Sequence, residues 1–415
     1  MTYSRAEASI ETEIFTDPVD NLDVLVGLVS DGDTTDVHLP LTKAYEGLNL
    51  TYPRQNTAVA CCDSSRLGDL RNSFLDSSCP LPRIYVSADH GRSAKINSLF
   101  NLMHLAKRLK AKVVVVLDAD LQSVKRTWIG RLAEPICSGQ ADFTSPLYHS
   151  LKFDIPVTSI FGYPMFRAIF GRRLRQPFYT DRAFSQKLNE RFLAYKNWPV
   201  DLSYQATELT MAVLAIADGG RFCQSFMAAP RMYWQNCQIG AETGLVFQDA
   251  AAAVFSAAEN FPEVWSNAKR SKPTLITGTE LTPSIIAPRD MARPEDFMKA
   301  IAGIAKKQGH IWRKAFDGRK DWVFEMITSE TTETINMNAE NWAGICFKSL
   351  LAYRRLDPAE RADFLEALSA VFFARLLTWL KNGSSLNLSQ MEALTEEECR
   401  IFEANRRLLV DGWGT

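Results

Sequence analysis

The sequence predicts an α/β domain with a mainly parallel central sheet, followed by a helical C-terminal region. Between residues 22 and 226, short apolar runs alternate with amphipathic segments. The clearest run, residues 112–117, contains four consecutive valines and a leucine, as expected of a central strand that is covered on both faces. From Pro294 onward, almost every segment has helical periodicity.

Three further apolar runs, at residues 23–29, 57–62 and 83–87, are each predicted to be a buried strand. Between the third of these runs and the valine-rich strand, residues 93–110 carry apolar side chains at helical spacing and basic residues in the last turn. Because strands and helices alternate, the strands are expected to be mostly parallel and joined by helical crossovers.

The composition changes along the chain and suggests three parts. Residues 1–265 are predicted to form the α/β domain, and residues 266–293 a polar, proline-punctuated linker or surface excursion. Residues 294–415 are predicted to form the helical region. An apolar stripe between Phe364 and Leu380 has the spacing of a core or dimer face, so the sequence allows a homodimer.

Composition limits the classes of function. The 415 residues include 47 basic and 48 acidic side chains, and this balance gives no reason to expect nucleic acid or an anionic membrane as a partner. The eight cysteines form no C-x-x-C pair and are predicted to be reduced thiols. There is no secretory leader pattern and no apolar run of the ~20 residues that a transmembrane helix needs, so we expect a cytoplasmic protein.

Two carboxylates, Asp118 and Asp120, directly follow the valine-rich strand. In open α/β sheets, ligands bind outside the carboxyl ends of the strands. Carboxylate oxygens at that position can hold a divalent cation, which neutralises a diphosphate leaving group. The alternative interpretation is an acidic turn that caps the next helix.

Other polar residues follow the neighbouring predicted strands. Asp63 ends the second strand, and Ser30 and Asp33 follow the first, so all three are candidates for binding a nucleobase or ribose. Asp63 is equally suited to cap a helix. Arg92 and Lys95 begin a helix and are candidates for binding phosphate, although exposed basic residues are often only solvated.

Three segments of the sequence, at residues 113–120, 141–148 and 170–177, carry a family resemblance. The chain resembles the group of glucosylglycerate synthase and glucosyl-3-phosphoglycerate synthase and, more distantly, mannosylglycerate synthase. The similarity runs from about residue 22 to residue 265 and resumes weakly in the C-terminal helices. It implies a Rossmann-like GT-A fold and retaining transfer of a hexose from a UDP- or GDP-linked donor to a small hydroxy acid, such as glycerate or phosphoglycerate.

The resemblance also implies roles for individual residues. Asp120 would chelate Mg²⁺ or Mn²⁺, Asp118 would contact the donor ribose or sugar, and Asp63 would bind the nucleobase. Asp201 would lie beside the sugar and acceptor, although it also precedes a predicted helix and is suited to cap it.

The acceptor would bind near Gln176 and Asp181 as well. Next to Gln176, however, the sequence departs from the family: Tyr179 and Thr180 stand where the family has paired glycines, which allow close backbone approach to a ligand.

Two more departures concern the donor. The family places a metal-binding histidine after the strand at residues 221–226, whereas this chain has Arg231, which would repel a cation but could replace its charge at the diphosphate. A glycine-rich loop is also altered near Arg92 and Lys95. These departures leave two hypotheses open: an active transferase, and a catalytically impaired nucleotide-sugar-binding or scaffold protein. A sugar-phosphate nucleotidyltransferase is disfavoured because its glycine-rich N-terminal loop is missing.

Overall fold

The computed structural model describes most of the chain and divides it into two compact units. The described residues are 12–30, 36–64, 69–90, 92–148, 152–153, 155–198, 203–231, 239–240, 242–268, 270–279, 291–318 and 321–414. The first unit comprises Met1–His149, Tyr179–Asn236 and Thr274–Pro283, and the second comprises Ser150–Phe178, Cys237–Pro273 and Ser284–Thr415. Both units are therefore discontinuous in sequence, unlike the predicted parts at 1–265, 266–293 and 294–415.

The first unit is built around a nine-stranded sheet in the order β1-β4-β3-β2-β5-β7-β6-β8-β9. Its strands are β1 Thr12–Phe15, β2 Val24–Val29, β3 Thr57–Cys62, β4 Arg83–Ser87, β5 Val113–Asp118, β6 Phe143–Leu147, β7 Arg182–Ser185, β8 Phe222–Phe226 and β9 Leu275–Thr277. The sheet is mainly parallel, as the sequence predicts, because only the β1–β4, β5–β7 and β6–β7 pairs among the described strands are antiparallel.

The central strands end at a common edge of the sheet. β2 lies between β3 and β5 and is parallel to both, and Val29 pairs with Cys62 on one side and with Asp118 on the other. All residues of β2, β3 and β5 are buried, in agreement with their continuous apolar sequences. Side chains that follow these strands are therefore brought to the same edge.

Helices cover the sheet and form most of the second unit. The α-helices are α1 His38–Thr51, α2 Asp69–Leu75, α3 Ala94–Arg108, α4 Thr127–Cys137, α5 Tyr163–Phe170, α6 Gln186–Ala194, α7 Tyr204–Ala217, α8 Thr243–Asn260, α9 Pro262–Ser266, α10 Pro294–Ala315, α11 Asp321–Ser329, α12 Ala339–Arg355, α13 Arg361–Gly383, α14 Leu388–Asn405 and α15 Arg407–Gly412.

Among the elements that were not predicted from the sequence, three are short strands. β1 pairs antiparallel with β4, β7 enters the sheet antiparallel between β5 and β6, and β9 lies within the segment predicted to be a linker. β1, β7 and β9 have four residues or fewer, which is too short for an alternating pattern to stand out. β9 adds an edge strand beside β8.

The second unit has an aromatic core of its own. Phe247 of α8 stacks on Phe372 of α13 with ring centroids 4.3 Å apart, and the indole Nε1 of Trp342 donates to the carbonyl of Ile160 at 2.7 Å. Phe364 and Phe372, in the stripe predicted as a core or dimer face, are fully buried within the single chain. No helix among the described residues is long and apolar enough to cross a membrane.

Candidate functional site

The edge at which β2, β3 and β5 end carries three of the residues predicted from the sequence. Ser30 follows β2 and donates from its backbone amide to the Cys62 carbonyl at 3.1 Å. Asp63 follows β3, and Asp118 is the last residue of β5. The predicted Asp33 and Asp201 lie outside the described residues.

Asp118 is the centre of a buried ionic cluster. Its Oδ2 accepts from the Lys95 ammonium at 2.5 Å and from Nη2 of Arg231 at 2.9 Å. Lys95 comes from the first turn of α3, and Arg231 from the segment after β8. The Asp118 side chain is 1% exposed and that of Arg231 is 5% exposed, so both charges are removed from water and must be paired there.

Asp181 fixes the other side of the cluster. Its Oδ1 accepts the backbone amide of Asp118 at 2.9 Å, and its Oδ2 accepts from Nε of Arg231 at 2.6 Å and from the hydroxyl of Tyr148. Because β7 runs antiparallel to β5, the start of β7 lies at the carboxyl edge of β5, and Asp181 directly precedes it. We refer to Lys95, Asp118, Asp181 and Arg231 together as the ionic cluster.

The two residues that replace the family's paired glycines lie against this cluster. The Thr180 hydroxyl is within 3.4 Å of Asp118 Oδ2. The guanidinium carbon of Arg231 lies 5.2 Å from the centre of the Tyr179 ring, within the range of a cation–π contact. The departures at Tyr179, Thr180 and Arg231 are therefore parts of one arrangement around Asp118.

The electrostatics of the ionic cluster are balanced. Burial raises the pKa of Asp118, but the charges of Lys95 and Arg231 outweigh it, so the pKa lies below its ordinary value. For Lys95, burial lowers the pKa, and the neighbouring Asp118 carboxylate more than compensates, so the ammonium stays charged. Two carboxylates thus face two cations, and the cluster carries no net charge.

Asp63 occupies a separate part of the edge. It is fully buried, its Oδ2 accepts from the Tyr85 hydroxyl at 2.9 Å, and its backbone amide donates to Val86 at 2.9 Å. The alternative that Asp63 caps the next helix stays a prediction, because residues 65–68, where that helix would begin, lie outside the described residues. Burial and the Asp63 charge raise the pKa of Tyr85, so this tyrosine is a neutral hydrogen-bond donor.

The remaining predicted residues are less closely connected. The Arg92 guanidinium carbon lies 4.4 Å from the centre of the Phe100 ring. Asp120 is partly exposed, and its backbone carbonyl accepts from the Gln122 side chain at 3.3 Å. Gln176 is buried and belongs to the second compact unit. Their predicted roles in donor, metal and acceptor binding stay predictions.

The side chains around Asp118 do not fit a resident Mg²⁺ or Mn²⁺. At about 4 Å and an effective dielectric constant of about 20, two unit charges interact by about 4 kcal/mol. Repulsion of a dication by Lys95 and Arg231 would therefore offset its attraction to Asp118 and Asp120. Within the described part of the chain, no group of three or more His, Cys, Asp or Glu side chains is arranged to hold a metal.

Sequence reasoning missed several buried polar residues near the cluster. Tyr148 follows β6 and donates to Asp181, and Arg182 pairs with Glu208 of α7. The Lys95 ammonium also lies 5.0 Å from the centre of the Tyr204 ring. A charged glutamate inside the mostly apolar helix at residues 204–217 was the available signal, because buried charges require partners.

Comparisons with known proteins give distant likenesses to solved structures. No protein-family model matches the chain, and no curated protein matches it. Among solved structures, it is similar to glucosyl-3-phosphoglycerate synthase from Mycobacterium tuberculosis in complex with phosphoglyceric acid, with 14% identity, 57% of this chain and 80% of that chain covered, and a TM-score of 0.42. That enzyme is one of those that the sequence motifs resemble.

Two other solved structures are also similar. Mannosyl-3-phosphoglycerate synthase from Rubrobacter xylanophilus is 15% identical, with 58% of this chain and 75% of that chain covered and a TM-score of 0.41. A cytidylyltransferase from Leptospira borgpetersenii is 11% identical, with 60% and 98% covered and a TM-score of 0.32. At such identities and scores, function has to be argued from the residues of the site.

Proposed function

We propose that this chain is a hexosyltransferase that uses a nucleoside diphosphate hexose, UDP- or GDP-linked, as its donor. The observation that carries the proposal is the edge where β2, β3 and β5 end, which combines the carboxylates of Asp63 and Asp118 with the cations Lys95 and Arg231. Parallel sheets bind nucleotides at this edge, and the motifs around Asp118 resemble those of hexosyltransferases. The acceptor is a small hydroxy acid such as glycerate or phosphoglycerate.

Each group has a role in this proposal. Asp63 binds the nucleobase, Asp118 and Ser30 bind the ribose, and the sequence assigns Asp33 to the same role. Lys95 and Arg92 face the phosphates, because ammonium and guanidinium groups donate to phosphate oxygens. Asp181 and Asp201 are assigned to binding the sugar and acceptor, as the resemblance implies.

Catalysis in this proposal comes from positioning and from stabilising the departing diphosphate. As the bond between sugar and phosphate breaks, negative charge grows on the leaving diphosphate, and fixed cations nearby stabilise that charge without reorganising. Because the hexose is transferred with retention, Asp201 is assigned an orienting hydrogen bond and not the role of a general base.

A second candidate is a nucleotide-sugar-binding or scaffold protein without turnover. The specific observation in its favour is the neutral, buried ionic cluster, in which Lys95 and Arg231 already contact the carboxylates of Asp118 and Asp181. A donor has to compete with those contacts. The two candidates make the same prediction for donor binding and opposite predictions for product formation.

The test has two stages. Thermal unfolding is measured with UDP, GDP and their hexose derivatives, and a matching ligand is expected to raise Tm because it binds only the folded state. The matched donor is then incubated with glycerate, phosphoglycerate and other small hydroxy acids, and glycosylated product is measured by mass spectrometry. Product supports the transferase, binding without product supports the second candidate, and no Tm shift with any nucleotide contradicts both.

A further inference from the structure

Two cations from different parts of the fold converge on one carboxylate oxygen of the ionic cluster. Lys95 approaches Asp118 Oδ2 from the start of α3, and Arg231 approaches it from the segment after β8. Arg231 is also bound through its Nε by Asp181, at 2.6 Å. Both positive charges are therefore held in place by the protein itself, at the edge where the diphosphate of a donor is proposed to lie.

We infer that Lys95 and Arg231 bind the donor diphosphate directly and provide the positive charge that a divalent cation would otherwise bring. This inference rests on the proposed function and deepens it: donor binding does not require Mg²⁺ or Mn²⁺. It differs from the family expectation, in which Asp120 chelates a metal.

The chemistry of the two side chains suits this role. An arginine guanidinium is a rigid planar fork that matches phosphate oxygens in a bidentate manner, and a lysine ammonium acts as a compact point charge. Together they supply two positive charges, as one divalent cation does. When a donor binds, its phosphate oxygens replace part of the contacts that Asp118 makes with Lys95 and Arg231. When no donor is bound, Asp118 keeps the two cations in position.

The surroundings of Arg231 support a fixed position for the guanidinium. Tyr179 lies against it, Asp181 binds Nε, and Tyr148 donates to the same Asp181 oxygen. Burial lowers the pKa of Arg231, but the charges of Asp181 and Asp118 raise it by a larger amount. The pKa therefore lies above its ordinary value, and the guanidinium stays charged at any working pH. A preorganised charge stabilises a leaving group better than a mobile one.

The first experiment measures nucleotide binding to the full-length protein by calorimetry, in EDTA and in excess Mn²⁺. UDP and GDP are the probes, and the base that binds is expected to have the same Kd in both buffers within about threefold. Mn²⁺ alone, followed by electron paramagnetic resonance, is expected to show no stoichiometric binding. Binding that appears only with Mn²⁺ overturns the inference and leaves the proposed function standing, whereas no binding in either buffer overturns both.

The second experiment separates a phosphate contact from a structural role. Lys95 lies near the rim of the ionic cluster, with 18% of its side chain exposed. In the Lys95→Met variant, the Kd of the nucleoside diphosphate is expected to rise about 10- to 100-fold. The Kd of the corresponding nucleoside, which has no phosphate, is expected to stay unchanged. Arg231→Lys, which keeps the charge and loses the fork, is expected to show a smaller loss of the same kind. Equal losses for nucleotide and nucleoside would contradict the inference.

Discussion

Arg231 and Asp118, 113 residues apart in sequence, form a buried ion pair in which Nη2 lies 2.9 Å from Oδ2. The pair connects the end of the central strand β5 to a segment that follows β8. Because a buried charge that loses its partner is costly, the same contact governs both the proposed donor site and the stability of the sheet edge.

Asp118→Asn is expected to lower the free energy of unfolding by about 3 kcal/mol or more, because Lys95 and Arg231 would lose a buried counter-charge. Urea unfolding followed by tryptophan fluorescence measures the effect. Asp120→Asn is the matched control, since Asp120 is partly exposed and its replacement is expected to change stability by less than about 0.5 kcal/mol. Equal effects of the two substitutions would show that Asp118 is not the structural centre of the cluster.

Arg231→His is expected to bind Mn²⁺ more tightly than the wild-type protein does. The substitution removes one positive charge and places an imidazole, a common metal ligand, next to Asp118. Mn²⁺ titration monitored by electron paramagnetic resonance measures the gain. Arg231→Lys is the control, because it retains a cation and offers no metal ligand. A folded Arg231→His protein that binds no more Mn²⁺ than Arg231→Lys would count against this geometry.

Gly47→Ala is expected to destabilise the first unit by about 1–3 kcal/mol. A Cβ at Gly47 of α1 would lie 2.4 Å from the backbone carbonyl oxygen of Arg126, just before α4, so the two helices would have to separate. Gly303→Ala in α10 is the control, since a Cβ there meets nothing within 4 Å. Gly303→Ala is expected to stabilise the protein by about 0.5–1 kcal/mol, because alanine has a higher helix propensity than glycine. Thermal unfolding of both variants shows whether each substitution raises or lowers Tm.

Glu398 is expected to make stability fall as pH rises from about 5 to 8. Burial raises its pKa from an ordinary value of 4.5 to about 7, although the adjacent Arg375 charge opposes the shift. A carboxyl group whose pKa is higher in the folded state than in the unfolded state favours folding at a pH below its unfolded pKa. That contribution to the free energy of unfolding is lost as the pH rises through the folded-state pKa. The loss amounts to at most about 3 kcal/mol.

Glu398→Gln tests this pH dependence, because the amide keeps the shape of the side chain and does not titrate. Urea unfolding of the wild-type protein and the variant is measured at several pH values between 5 and 8. The difference between their free energies of unfolding reports on the titration of Glu398. The difference is expected to shift in favour of the variant as pH rises. A difference that stays constant with pH would show that Glu398 does not titrate in this range.

Local sequence was sufficient for the strands and helices whose apolar residues form long or regular patterns. The predicted strands at residues 57–62 and 83–87 coincide with β3 and β4, and the helical pattern predicted at residues 93–110 contains α3. The shared edge of Ser30, Asp63 and Asp118 also followed from the sequence, since parallel strands with helical crossovers end on the same side.

The partners within the ionic cluster did not follow from the sequence. Asp118, Asp181 and Arg231 come together because β7 enters the sheet antiparallel beside β5, with Val116 opposite Arg182. The alternation of side chains along a strand is the same in both directions, so it carries no information about antiparallel pairing.

The sequence alone thus determined the alternating α/β order, the helical C-terminal segments and the set of polar residues at the carboxyl edge, because these depend on periodicity and on short-range preferences. Only the tertiary structure decided that Asp118 faces two cations, because strand direction and the approach of residue 231 to residue 118 depend on hydrogen bonds and burial between distant segments.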